Sequence, residues 1–229
     1  MISMTGTSTI VRNEFFSNKN LKNIQIMIHR IYYKYLLVFV AAIFSILVYC
    51  NFCYQFWTHM QVDEFVHLVE IENKYIKGLY GRQILVHKQF ENSILKIENF
   101  AKKYNLKIIV NSSYRYPGQQ ISSVVAKSVS RSNHKIGFAI DFNIVYKNKK
   151  YISSDLSRDN FNNLPKNIIK FINEIRSDKI MRWGGDFNPE DTVHIDVPLN
   201  INNKTLWNTH YNNCSSEYLK SSPKWMFWK

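Results

Sequence analysis

The sequence predicts an α+β domain, an antiparallel sheet with helices on one side, preceded by an N-terminal transmembrane helix. Three observations point there. An apolar and aromatic run from Leu36 to Tyr54 is interrupted only by Ser45, Asn51 and two cysteines. Downstream of it, helical spacing comes first, then strands with one helix among them, an order that differs from the strict βαβ alternation of a doubly wound fold. Two of those strands alternate apolar and polar residues, so each has one face for a core and one for water.

The apolar run is about the length needed to cross a bilayer as a helix. Lys19, Lys22, Arg30 and Lys34 precede it, Asp63 and Glu64 follow it, and Trp57 sits near its far boundary. By the positive-inside rule the N-terminus is cytoplasmic and everything after Met60 lies outside. The long preceding segment, and the lack of small residues for a cleavage site, argue against a removed signal peptide. Residues 1–20 are polar and read as a disordered tail. The resulting division is a cytoplasmic tail at 1–34, an anchor at 35–57, a folded domain at 61–199 and a C-terminal extension at 200–229. Cys50, Cys53 and Cys214 are an odd, scattered set and do not describe a disulfide framework.

Val62, Phe65, Val66, Val69, Tyr75 and Ile76 recur at helical spacing and predict a helix ending near Gly78 and Gly81. Phe90, Ile94, Leu95, Ile97 and Phe100 predict a second, and Leu106–Val110 a strand. Around Pro117-Gly118 the chain turns. Gly137–Val145 reads as a strand that turns at Lys147–Lys150 into a short partner at Tyr151. Leu164-Pro165 opens a helix with Ile168, Ile169, Ile172 and Ile175 on its buried side. Val193–Val197 is a strand stopped by Pro198, and from Asn200 the pattern dissolves. The net charge is +13, most of it beyond Met60, which suits an anionic partner such as a wall polymer or lipid headgroup. No nucleic-acid-binding signature accompanies the charge, so no nucleic-acid partner is expected.

Chemistry concentrates in two stretches, Ser132-Asn-His-Lys-Ile-Gly-Phe-Ala-Ile-Asp141 and Trp183-Gly-Gly-Asp-Phe-Asn-Pro-Glu-Asp-Thr-Val-His-Ile-Asp196. Ala139, Asp141 and Asn143 share one face of the first strand; His194 and Asp196 share one face of the second. If the strands are neighbours, Asp141 and His194 meet on the polar side, with His134 reaching in from the preceding loop. Two imidazoles and a carboxylate suit Zn2+, and three protein ligands leave a fourth position for water. Asp191, three residues before His194, is placed to take that water's proton. Glu190 is the rival base, but neighbours on extended chain point to opposite sides and only one can face the metal.

These motifs, Ser132-x-His134-x-x-Gly137-x-Ala139-x-Asp141 followed by Trp183-Gly-Gly-Asp-Phe and Asp191-x-x-His194, resemble the zinc D-Ala-D-Ala carboxypeptidases and L-alanyl-D-glutamate endopeptidases. Those are peptidoglycan peptidases that share a fold with the Hedgehog signalling domain. The resemblance runs from about Phe90 to Pro198. The Trp-Gly-Gly-Asp-Phe segment and the aspartate before the last histidine are most similar to the endopeptidase branch common in phage endolysins. It implies His134, Asp141 and His194 as zinc ligands and Asp191 as catalytic base. It also implies Arg115, in a Tyr-Arg turn, as the grip on a substrate carboxylate, a task the guanidinium fork suits.

Gln119 or Gln120 is placed to line the same cleft, and Ser132 to bond substrate or a ligand. Trp183 reads as a packing residue and Asp186 as a loop group. His210 and Cys214 have no partner at metal spacing, and Pro223–Lys229 is an aromatic-basic tail. The implied activity is hydrolysis of the peptidoglycan stem peptide at L-Ala–D-Glu by a protein of the cytoplasmic (inner) membrane, with its domain outside. A D,D-carboxypeptidase and an inactive wall-binding module are the alternatives. Oligomeric state leaves no mark in the sequence.

Overall fold

The structure, a computed structural model, describes residues 7–53, 65–119 and 131–221. The chain divides into two units, residues 1–52 and 53–229. The first is a helix, α1 (Thr7–Cys53). Within it Asn23–Val48 is long and apolar enough to cross a membrane, and none of that stretch is buried. Leu37, Phe44 and Phe39 are among its exposed side chains. An uninterrupted helix satisfies its own backbone polar groups, so apolar side chains can all face lipid. The helix begins at Thr7, where a disordered tail is expected. No glycine or proline breaks the chain between Thr7 and the apolar stretch, so the helix propagates upstream from it. Residues 54–57 of the expected anchor, Asp63 and Glu64 lie outside the described residues, as do the serine-rich segment before the first metal motif and the tail after Ser221.

The second unit carries eight strands among the described residues: β1 (Leu68–Glu70), β2 (Ile76–Gly78), β3 (Leu85–His87), β4 (Lys107–Ser112), β5 (Ala139–Tyr146), β6 (Lys149–Tyr151), β7 (Arg182–Trp183) and β8 (His194–Asp196). Its helices are α2 (Glu91–Lys103), α3 (Lys166–Ser177), α4 (Leu199–Asn202) and α5 (Lys204–Ser221). The main sheet has the order β2-β4-β5-β8-β7, with β6 folded back on β5, while β1 and β3 form a separate antiparallel pair. The sheet is antiparallel except that β2 lies parallel to β4. That exception follows from the crossover between them, which passes through β3 and α2 before the chain returns.

Register decides the chemistry. Ile108 pairs with Ile144 and Val110 with Phe142 across β4 and β5; Ile140 pairs with Ile195 across β5 and β8, and Ile195 with Trp183 across β8 and β7. These residues form one continuous apolar face, buried with Phe90, Ile94, Ile97 and Ala101 of the α2 region and Ile168, Phe171, Ile172 and Ile175 of α3. The spacing within each helical set keeps it on one stripe. Tyr104 and Lys103, at the end of α2, both bond Glu174 of α3. The opposite sheet face carries Ser112 beside Asp141, Asp141 beside His194, and the row Ala139, Asp196, Arg182. The β5–β6 hairpin turns at Lys147 and Asn148, both at positive φ (48° and 64°), the conformation its tight two-residue loop requires.

The helix expected over Val62–Ile76 is not formed: from Phe65 onward this region is β1, a turn and β2. Each strand is only three residues long, and side chains from two short strands reproduced helical spacing by coincidence. The region after Asn200 is ordered as well. In α5, Trp207, His210, Cys214, Ser215 and Tyr218 are buried, so the expected extension is part of the domain. Glu217 fastens it: its carboxylate accepts the backbone N–H groups of Val66, of His67 at 3.1 Å to each oxygen, and of Leu68 at 2.9 Å. Cys214 is a buried free thiol packed with Phe65, Leu68, Leu85 and Tyr114; burial pushes its pKa up to about 12 and leaves it unreactive.

Candidate metal centre

Three elements deliver the ligand candidates. Asp141 and His194 are register partners on β5 and β8. His134 lies in a 3₁₀ turn, Asn133–Ile136, that ends at Gly137 with φ 73°. A Cβ at Gly137 would stand 2.5 Å from the His87 backbone nitrogen, so only glycine lets this turn close on β3, where the His87 N–H bonds the Gly137 carbonyl at 2.9 Å. At the other motif a Cβ on Gly184 would come within 2.3 Å of the Asp191 carbonyl and 2.9 Å of His194 Cβ. That glycine lets the Asp191 loop lie against the ligand strand, and the Asp191 N–H bonds the Gly184 carbonyl at 2.8 Å.

The side chains converge. His134 Nε2 and His194 Nδ1 each stand 3.0 Å from Asp141 Oδ1 and 3.2 Å from one another. His134, Asp141 and His194 form the group among the described residues that can hold a metal ion, with ligand atoms all within 4.8 Å of one another. The tautomer of His134 tests the fit. Its Nδ1 is 2.8 Å from the Ser113 carbonyl, a pure acceptor, so Nδ1 carries the hydrogen. Burial keeps the pKa of this ring below its usual value, so the ring is neutral and Nε2 presents a lone pair. A lone pair facing a carboxylate oxygen requires a cation between them, either a proton shared from His194 Nδ1 or a metal ion. The donor set, two imidazoles and one carboxylate, fits zinc.

Charges around the group are strongly shifted. Burial works against the ionised form of Asp141, but its imidazole surroundings, in which His194 Nδ1 is the donor, outweigh it and hold its pKa far below the ordinary carboxylate range. For His194, burial acts to lower the pKa, while the carboxylates of Asp141 and Asp196 raise it to about 9. Asp191 is pushed up by its own burial and then by the charge of Asp141, against the pull of His194, His134 and Arg115. These interactions place Asp191 within electrostatic reach of the whole group. Its neighbour Glu190 is engaged elsewhere, accepting the Arg158 backbone N–H at 3.1 Å and facing the Arg158 guanidinium.

Arg115 reaches the site through a short ion pair from Nη2 to Asp141 Oδ2, while its Nε–H donates to Ser112 Oγ at 2.9 Å. Two expected residues are not brought into contact with the group. Gln119 is exposed, and its amide oxygen accepts the Tyr116 N–H at 3.2 Å, closing its own turn. The following residue, Gln120, lies outside the described residues. Ser132 stands at the start of the His134 turn without a side-chain capping bond, its carbonyl accepting from Lys135. Trp183 is a core residue, 1 % exposed, its indole N–H donating to the Thr192 carbonyl at 2.8 Å. Asp186 pairs with Arg176 on the surface.

Sequence reasoning missed several contributors. The Ser113 carbonyl that orients His134 is backbone and leaves no residue signature. Tyr218 of α5 stacks on Tyr116 at 5.0 Å and 9°, bracing the turn that carries Arg115. Phe187 stands 6.0 Å from the His194 ring under the Arg182 guanidinium. Strand parity put Asp196 on the face of His194, and the register agrees.

No curated protein matches the chain. A family model described as D-alanyl-D-alanine carboxypeptidase matches residues 126–197, under half of the chain. The matched stretch contains His134, Asp141, Asp191 and His194 but not Arg115. The family likeness suggests a peptidase related to peptidoglycan chemistry, with a His-Asp-His group able to bind a metal.

Proposed function

We propose that this chain is a membrane-anchored zinc peptidase that hydrolyses peptidoglycan stem peptides at the L-Ala–D-Glu bond. The observation that carries the reading is the convergence of His134 Nε2, Asp141 Oδ1 and His194 Nδ1 with an acidic group of raised pKa beside them. A zinc ion held there supplies Lewis acidity, activating water and polarising the scissile carbonyl. Asp191 takes the proton of the attacking water and returns it to the leaving amine. Its raised pKa suits both directions of that transfer, since a carboxylate of ordinary acidity is a weaker base. Arg115 steadies Asp141 through Nη2, and the donors on its Nη1 grip a carboxylate of the stem peptide. The helix stretch Asn23–Val48 keeps the protein in the cytoplasmic membrane, N-terminus inside and domain outside, within reach of the wall.

The second reading, removal of the terminal D-Ala, is favoured by the description of the matching family. The Asp191-x-x-His194 pair and the Trp-Gly-Gly-Asp-Phe segment favour the endopeptidase. Full-length protein in detergent, incubated with defined stem peptides and with isolated sacculi, separates the two by fragment mass. Chelator should abolish hydrolysis and added zinc restore it. Asp191→Ala should lower kcat by on the order of 10²–10⁴ with zinc content unchanged. Undiminished activity of that variant would remove Asp191 as base, and a zinc-bound wild type inert on every peptide would leave a wall-binding module.

A further inference from the structure

We propose that Asp196, clamped by Arg182, is the positioning carboxylate of the metal centre: it orients the His194 ring and ties the His134 turn to the His194 strand. The inference rests on the metallopeptidase reading and names two residues that reading does not use.

Asp196 lies on the wet face of β8, its side chain 3 % exposed. Polar groups hold its carboxylate from two sides. Arg182 Nε–H donates to Oδ1 at 3.0 Å and Nη2–H to Oδ2 at 2.7 Å, a two-point fork between register partners on β7 and β8. The Asn133 side-chain N–H donates to Oδ2 at 2.7 Å. Asn133 immediately precedes His134, is itself 2 % exposed, and bonds Asn200 through both ends of its amide. One carboxylate therefore joins β7, β8 and the turn that presents the first ligand.

His194 Nε2 stands 3.7 Å from Asp196 Oδ2, on the opposite edge of the ring from Nδ1, which faces Asp141. That is ion-pair distance rather than a hydrogen bond, and a small ring rotation would close it. To offer Nδ1 to a metal, neutral His194 must keep its hydrogen on Nε2, and a carboxylate on that edge favours this tautomer. The two imidazoles are then backed alike: His134 by the Ser113 carbonyl, His194 by Asp196. Burying a carboxylate merely to pin a two-residue strand is an expensive way to gain stability, since buried ion pairs seldom outperform apolar contacts.

The test uses full-length protein in detergent and reads zinc affinity by competition with a chromophoric chelator, alongside thermal melting and the visible spectrum of the cobalt-substituted protein. Asp196→Asn keeps size and one acceptor for Arg182 but loses the charge. It should weaken zinc binding about 10- to 100-fold and alter the cobalt spectrum. A folded Asp196→Asn whose zinc affinity stays within about twofold of wild type, with only its melting lowered, overturns the proposal and leaves a purely structural ion pair. If Asp196→Asn does not fold, Arg182→Lys keeps the charge but not the fork. It should weaken zinc roughly 3- to 10-fold, and unchanged affinity would overturn the proposal. Weaker zinc in these variants together with a wild type inert on every stem peptide supports the positioning role while the peptidase reading fails. A wild type that takes up no zinc overturns both.

Discussion

Removing the Glu217 carboxylate tests whether α5 folds as part of the domain. In Glu217→Ala the N–H groups of Val66, His67 and Leu68 lose their shared acceptor. A hydrogen bond to a charged group contributes about 1.5–3 kcal/mol net, so three independent bonds would sum to well above 4 kcal/mol. They are not equal here. Val66 is 67 % exposed and water replaces its bond at little cost, whereas Leu68 is 1 % exposed. Counting Leu68 in full and His67 in part gives an expected loss of about 2–3 kcal/mol. Glu217→Gln keeps one oxygen but no charge and should lose about half of that. Urea unfolding followed by tryptophan fluorescence measures both, because Trp207 of α5 is buried and stacked on Tyr211 at 5.3 Å. A changed midpoint at constant slope would mean that α5 unfolds with the domain; a reduced slope would mean that it detaches first. A Glu217→Ala midpoint worth less than about 0.5 kcal/mol refutes the reasoning, since such values are typical of unimportant surface positions.

Two other perturbations have defined outcomes. Arg115→Lys keeps the charge beside Asp141 but not the planar fork, so KM for stem peptides should rise about tenfold with kcat little changed. A fall in kcat with loss of bound zinc, at unchanged KM, would instead make Arg115 a support for Asp141 alone. His87 is 3 % exposed, and its pKa is lowered to about 3 by burial first and then by His210, His67 and Lys88. Its neutral form is what the folded chain holds, so the unfolded chain binds the proton more readily. The stability from keeping it neutral is complete above about pH 6.5 and is lost as pH falls from there toward 3. Allowing for solvent screening, wild type should lose about 1 kcal/mol more than His87→Asn between pH 7 and 5. Parallel pH profiles for the two proteins would dismiss His87 as the source.

Strand parity made the centre of the site legible. Placing Asp141 on the polar side of one strand and His194 on the polar side of another required only a period of two, and the register then brought them face to face. The helical stripe of α3 was legible from its own period, with Ile168, Phe171, Ile172 and Ile175 at intervals of three, one and three. In contrast, β1 and β2 hid behind an accidental helical spacing, because strands of three residues contain too little alternation to outvote it. The stripe of α5 is regular, with Trp207, His210, Cys214 and Tyr218 at intervals of three and four, but one of its four members is a histidine and none is aliphatic. Its surroundings of asparagine, serine and threonine hid it further. Gln119 shows the limit of such reading, because a glutamine after Pro-Gly can close its own turn, as it does here on the Tyr116 N–H, or reach a cleft, and the sequence does not separate the two.

The two polar groups on the wet face argue differently about what they are for. Around Asp196 each donor meets an acceptor: the guanidinium fork and the asparagine amide complete the carboxylate without help from outside the chain. Two register positions along, where Asp141 pairs with His194, the Nε2 of His134 from its turn and Asp141 Oδ1 confront one another as two acceptors, and a single hydrogen on His194 Nδ1 has to serve both. A fold that builds a complete network beside an incomplete one has not failed at the second, because a merely structural cluster is easily completed by an asparagine or a serine. The shortfall is one more donor at the meeting point of three candidate ligand atoms, a place that a metal ion can fill. The Ser113 carbonyl behind His134 and the Arg115 guanidinium on Asp141 hold two of the three candidate ligands in place, as second contacts do around a metal site.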